Sequence, residues 1–163
     1  MKELHILRHA KSSWVNSNLT DYDRPLSKKG INDAINLSIY IERNNISVDR
    51  ILCSSAERTK QTCDLVYRST RVNQKEILYT DKLYYQNRET IKNLIKTQDD
   101  KINKIMIIGH NPYLHYFIQD YSEKDILKFP TCSLAILRFE GDWRKFINLN
   151  INLALFLTPK EIT

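Results

Sequence analysis

The chain alternates short apolar runs with stretches in which apolar residues recur every three or four positions. The first run, Leu4-His5-Ile6-Leu7, closes on Arg8 and His9 and predicts a buried strand that stops at a polar cluster. Runs over 48–53, 76–79, 104–108 and 133–139 predict strands of the same kind. Between them, Ile31, Ala34, Ile35, Ser38 and Ile39 keep helical spacing up to Arg43, behind Ser27 as a suitable N-cap. Ala56, Thr59, Cys63, Val66 and Tyr67 mark a second helix, for whose cap Ser54 and Ser55 compete. Ile91, Leu94 and Ile95 mark a third over 88–96. Asn111 as cap and Pro112 as first helical residue introduce a fourth, through Tyr113, Leu114, Phe117 and Ile118.

The stretches 15–22 and 80–87 are aperiodic and read as loops. Glu140-Gly141-Asp142 predicts a tight turn into a last strand from about Arg144 to Leu153, antiparallel to its predecessor. The tail from Thr158 to Thr163 reads as frayed. The whole pattern predicts one α/β domain over 1–163, a three-layer α/β/α sandwich with a mainly parallel sheet and an antiparallel edge strand.

Composition narrows the function. The 163 residues suffice for a single core without staples, and 3 glycines leave no room for a glycine-rich nucleotide loop. No apolar run approaches the roughly 18 residues of a membrane span, and the polar N-terminus predicts no signal peptide. Three cysteines without a CxxC pair favour buried thiols in a reducing cytoplasm. The net charge of +6 is scattered, with no basic run, so nucleic-acid binding is disfavoured.

In a parallel sheet the carboxyl ends of the strands share one edge, where ligands bind. Three such ends carry polar residues: Arg8-His9 with Lys11 and Ser12 behind them, then Ser55 and Arg58, then His110-Asn111. Arg58 lies in a first helical turn, where a cation opposes the helix dipole; Lys28 and Lys29 do the same in the first helix. Two arginines offer forked donors matched to phosphate oxygens. A histidine flanked by them is pushed toward its neutral form and can attack phosphorus. A second histidine beside a bound dianion is pushed toward its charged form. His5 and His115 read as structural. Neither a zinc-ligand spacing nor a G-x-S-x-G elbow occurs, so phosphoryl chemistry without a metal is what remains.

These residues resemble a known family. Leu7-Arg8-His9-Ala10-Lys11-Ser12 is similar to the R-H-G signature of the histidine phosphatase (phosphoglycerate-mutase-like) superfamily. The segment 24–30, R-P-L-S-K-K-G, resembles that of its small SixA-type phosphohistidine phosphatases. Ser54-Ser55-Ala56-Glu57-Arg58-Thr59-Lys60-Gln61-Thr62 and Gly109-His110-Asn111-Pro112 match in order and spacing. The resemblance implies His9 as the nucleophile that becomes phosphorylated and Arg8, Arg58 and His110 as the phosphoryl pocket. Lys11, Ser12 and Asn111 are candidate substrate contacts, and no cofactor or metal is implied. Ala10 replaces the signature glycine, Thr59 replaces an alanine, and the general acid has only weak candidates in Asp81 and Asp23. The implied substrate is a phosphohistidine protein, such as a phosphorelay or phosphotransfer domain. Small phosphoesters on the same machinery, or an idle domain binding phosphate or nucleic acid, are the alternatives.

Overall fold

A computed structural model describes residues 1–162. The strands are β1 (Lys2–Arg8), β2 (Arg50–Ser54), β3 (Ile77–Thr80), β4 (Lys104–Gly109), β5 (Leu134–Phe139) and β6 (Asn152–Leu157). The α-helices are α1 (Lys28–Arg43), α2 (Glu57–Val66), α3 (Arg88–Lys96) and α4 (Tyr113–Gln119). One six-stranded sheet runs in the order β3-β2-β4-β1-β5-β6. The first four strands in that order pair in parallel, and β5 and β6 continue the sheet antiparallel. The three-layer sandwich is therefore as expected, with an antiparallel edge two strands wide.

Alternation along the strands divides the core into two layers, because successive side chains point to opposite faces. Leu7, Ile51, Cys53, Met106, Ile108 and Leu134 meet Ala34, Leu37 and Ile41 of α1 and Cys63 and Val66 of α2. Leu4, Ile6, Leu52, Ile105 and Ile107 meet Ile91 and Ile95 of α3 and Leu114 and Phe117 of α4 on the other face. The chain steps outward from β1 to β2 to β3, then returns to β4. That reversal changes the face covered by the helices and opens a crevice at the carboxyl ends of β1, β2 and β4.

Local chemistry behaves as predicted at α1. The Ser27 hydroxyl accepts the Gly30 amide at 3.1 Å and donates to the Lys11 carbonyl at 3.0 Å. The first loop passes so close that a Cβ on Gly30 would overlap the Lys11 carbonyl oxygen. Glycine here is required by that approach, and it locks the loop after His9 onto the helix start.

Four expectations are corrected. Neither Ser54 nor Ser55 caps α2; Ala56 takes the cap position without a side-chain bond, and the Ser54 hydroxyl is engaged by His110 instead. Asn111 does not cap α4, whose cap position is Pro112, because the Asn111 amide donates to the Phe129 carbonyl at 2.9 Å. The last strand starts at Asn152, and Trp143–Asn148 forms a 3-10 helix before it. Phe146, read within the expected strand, is buried for another reason, as is Trp143 just before it. The Trp143 indole donates to the Ile102 carbonyl at 2.7 Å, and Phe146 packs on Phe117 and Phe139. Finally, the tail is not frayed through 162. Thr158 and Glu161 form a capping box on the turn Pro159–Glu161, and Ile162 packs against the α1 layer. The expectation for Thr163 lies outside the described residues.

Candidate active site

Arg8 and Gly109 are register partners at the ends of β1 and β4, so His9 and His110 leave the sheet side by side. Their ring centroids lie 5.1 Å apart. The backbone around His9 is held on three sides. Its amide donates to the Gly109 carbonyl at 3.1 Å, its carbonyl accepts the Cys132 amide at 3.0 Å, and the next amide, Ala10, donates to Thr62 Oγ1 at 3.0 Å.

The tautomers follow from the partners. His9 Nδ1 lies 2.7 Å from the Ala10 carbonyl, which can only accept, so Nδ1 carries the proton. Nε2 is then a lone pair, and it accepts Arg58 Nε–H at 3.3 Å. By the same reasoning His110 Nδ1 accepts Arg58 Nη2 at 3.3 Å, and its Nε2–H donates to Ser54 Oγ at 2.8 Å. Burial lowers the His9 pKa to about 3, with Arg58, Arg8 and Arg24 adding to the effect. Burial also lowers His110, to about 2, helped by His9 and Arg58. The cations alone were expected to hold His9 neutral; desolvation is the larger cause. His110 is neutral too, so any charge it acquires must come with a bound anion.

Arg58 is clamped by a residue that sequence reasoning passed over. Its Nη1 donates to the Asp21 carbonyl at 2.6 Å and its Nη2 to Asp21 Oδ2 at 3.0 Å. Arg24 donates to Asp21 Oδ1 through Nη2 at 2.9 Å, and the Tyr84 hydroxyl donates to Oδ2 at 2.8 Å. Partial burial favours the protonated acid, but Tyr84, Arg58 and Arg24 more than offset it and hold Asp21 at about 2. Asp21 is a fixed anion and is no proton donor near neutral pH.

The rings and guanidiniums line a cleft of about 310 Å³ with Arg8, His9, Lys11, Ser12, Arg58 and His110 on its walls; Asn111, Arg24, Trp14 and Thr131 complete it. Arg8 Nη1 donates to the Phe129 carbonyl at 3.0 Å, while its buried Nε has no partner; Arg24 Nη1 is equally unpartnered. Buried donors left open beside a cleft suit an oxyanion, because burying them without one is costly. Among the described residues no group of three or more His, Cys, Asp or Glu side chains converges as metal ligands.

Residues 4–83 match the sequence profile of the histidine phosphatase superfamily, branch 1. The chain is 31% identical over 147 residues to the protein Rv1276c of Mycobacterium tuberculosis, covering 84% of this chain and 89% of that one. It belongs to the histidine phosphatase superfamily. Among solved structures, a SixA protein from Agrobacterium tumefaciens superposes with a TM-score of 0.80. Identity to it is 29%, over 97% of this chain and 99% of that one. A protein histidine phosphatase SixA complexed with tungstate shares the fold at a TM-score of 0.83 and 15% identity, over 99% of both chains. Family membership supports phosphatase activity.

Within this superfamily member the matched motifs acquire physical roles. Thr62 anchors the loop after His9, and the Gln61 amide oxygen accepts the Leu26 amide at 2.8 Å, tying α2 to the 24–30 segment. Arg8, His9, Lys11, Ser12, Arg58, His110 and Asn111 line one cleft, whereas Ser55, named with them at the second strand end, is outside the lining. The two carboxylate candidates do not line it. Asp81 accepts the Tyr22 hydroxyl at 2.9 Å and Asp23 accepts the Thr20 hydroxyl at 2.6 Å, both outside the lining. Asp21 had one sequence signal, a carboxylate three residues before the arginine of the R-P-L segment. Tyr84 and Trp14 had none beyond being aromatic; Trp14 stacks under the Arg24 guanidinium at 3.4 Å from its ring centre. His5 is structural, as expected, and bonds to Glu3. His115 bonds the Ile126 carbonyl, away from the cleft.

Proposed function

We propose that the protein is a phosphohistidine phosphatase working without a metal, with His9 as nucleophile. The carrying observation is the His9 ring, which lines the cleft: Nδ1–H is tied to the Ala10 carbonyl, and the unprotonated Nε2 accepts Arg58 Nε–H. In the proposed first step Nε2 attacks phosphorus in line. The bond from phosphorus to the leaving nitrogen breaks and its electron pair leaves with the substrate ring, whose other nitrogen already carries a proton, so that it departs as neutral imidazole. Water then attacks the phosphorus of phospho-His9 and passes its proton to the phosphate formed, the P–Nε2 bond returns its pair to the ring, and inorganic phosphate departs.

Arg8 and Arg58 neutralise the equatorial oxygens through both steps, a role preorganised donors fill without reorganisation. Asp21 keeps Arg58 aimed. His110 Nδ1 takes up a proton once a dianion lies against it, and then donates to a phosphoryl oxygen. Lys11, Ser12 and Asn111 are the further substrate contacts of the reading.

The substrate class follows from the missing acid. An alkoxide leaving group needs a proton, help worth ~10²–10⁴ in rate. The one carboxylate that touches the cleft machinery, Asp21, is held ionised at about 2. A phosphoramidate has a weaker bond to break and a better leaving group, so it tolerates this site.

The test is turnover of a phosphohistidine peptide against a panel of small phosphoesters, with and without EDTA, while the enzyme is trapped for acid-labile phosphate. Preference for the peptide, label on His9 and indifference to EDTA are expected. Label elsewhere, loss of activity to EDTA with recovery on adding zinc, or preference for phosphoesters would sink the corresponding part of the reading.

A further inference from the structure

Helix α1 carries two apolar stripes. Gly30, Ala34, Leu37 and Ile41 are buried against the sheet. Ile31, Ile35 and Ile39 form the second stripe, roughly 130° around the helix at about 100° per residue, and are 40%, 42% and 42% exposed. Three isoleucines in one row on a solvated face are not explained by the core, nor by the cleft, whose lining includes no residue of α1.

The row is flanked by charge in an order that a single helix does not favour. Lys28 sits in the first turn and Glu42 in the last, each exposed and each on the unfavourable end of the helix dipole. Neither has an ion-pair partner among the described residues, whereas Lys29 is satisfied by Asp33 at 2.8 Å. Positions 28, 31, 35, 39 and 42 are symmetric about Ile35, and the outer pair carries opposite signs.

We propose that this face pairs with a second copy of the chain, α1 against α1, antiparallel about a two-fold axis at Ile35. A two-fold contact requires that each residue meet the partner position related by the axis. Ile35 then meets its own counterpart, Ile31 meets Ile39, and Lys28 meets Glu42 at both ends. The antiparallel arrangement also sets each helix's misplaced charge beside the end of the partner dipole that attracts it. Like signs at 28 and 42 would have forbidden this pairing; opposite signs select it over a parallel one. A single helix pair covers less than the roughly 800 Å² per partner of a standard interface, so the dimer is weak and depends on concentration.

Sedimentation velocity on the full chain, in a series reaching about 1 mM, tests the pairing, with thermal melts checking that each variant is folded. Wild type should move from monomer to dimer along the series, and I35R should remain monomeric. K28E and E42K should each weaken the dimer about tenfold, since two symmetric ion pairs turn repulsive together. The double variant K28E/E42K should recover near wild-type association. A monomer throughout the series overturns the proposal. So does a dimer indifferent to I35R, single charge reversals without effect, or a double variant that stays as weak as the singles.

Discussion

Two buried histidines four residues apart show what separates a structural ring from a reactive one. His5 lies within β1 and His9 just beyond its end; they are 0% and 7% exposed, and burial pushes both toward the neutral form. At His5 the direct partner is an anion, Glu3, with Lys104 and Arg138 beyond it. Nε2 donates to Glu3 at 3.0 Å, and Glu3 also takes Arg138 Nε at 2.9 Å. The His5 hydrogen bond is the chief reason that carboxyl is held low, at about 2. At His9 the neighbours are cationic, and its Nδ1 proton goes to a backbone carbonyl. Burial removes the proton from either ring. Of the two, only His9 lines the cleft, with its unprotonated nitrogen beside the Arg58 guanidinium.

That contrast breaks most sharply at His9 itself. His9→Ala should lower kcat by at least about 10³-fold while phosphate affinity, read by calorimetry, stays within a few fold. Near-normal turnover would place the nucleophile elsewhere. Arg58→Ala comes next, lowering kcat/KM by about 10²–10³-fold and weakening phosphate as well, because its charge acts before and during the transition state.

Asp21→Asn should split the two constants. Turnover falls about tenfold as Arg58 loses its clamp, yet inhibition by phosphate tightens, because one negative charge has left the cleft. Equal loss in both would mean that Asp21 only supports the fold.

The pH profile sharpens the comparison further. With a His9 pKa of about 3, protonation of the proposed nucleophile should not produce an acid limb in kcat/KM near the ordinary histidine value of about 6.5. Stability has a definite sign. His9 and His110 bind protons more tightly in the unfolded chain, so their contribution is complete above about pH 6.5. It is lost as pH falls toward about 3. Denaturant midpoints measured at pH 7.5 and 5 should therefore fall with pH, and less so in saturating phosphate, which favours a charged His110. The smallest effect on turnover belongs to His5→Leu. Activity should stay within about twofold, while stability falls by about 1–3 kcal/mol because the Glu3 carboxylate loses its buried donor.

Legibility followed the range of the interactions. β1, β4, α2, α3 and α4 were readable because burial on one face imposes a period of 2 or 3.6 on neighbouring residues; at α1 the period read at Ile31, Ile35 and Ile39 belongs to an exposed row, and the buried face is Ala34, Leu37 and Ile41. The Ser27 cap was readable because its partner is three residues away. The caps of α2 and α4 were misread because Ser54 and Asn111 found partners 56 and 18 residues distant. Likewise the start of the last strand was misplaced by Phe146, whose burial serves packing on α4 and β5 and no ladder.

By itself the sequence determined the sandwich and the sheet edge at which Arg8, His9, Arg58 and His110 meet. Strand ends in a parallel sheet share one edge, so polar residues at three of them are brought together. Only the tertiary structure decided which nitrogen of His9 is unprotonated, that burial outweighs the arginines in keeping it so, and that Asp21, itself bonded by Tyr84, holds Arg58. Those outcomes depend on hydrogen bonds of defined direction between residues 37 and 63 positions apart. No periodicity along a chain encodes the angle between two side chains brought together by the fold.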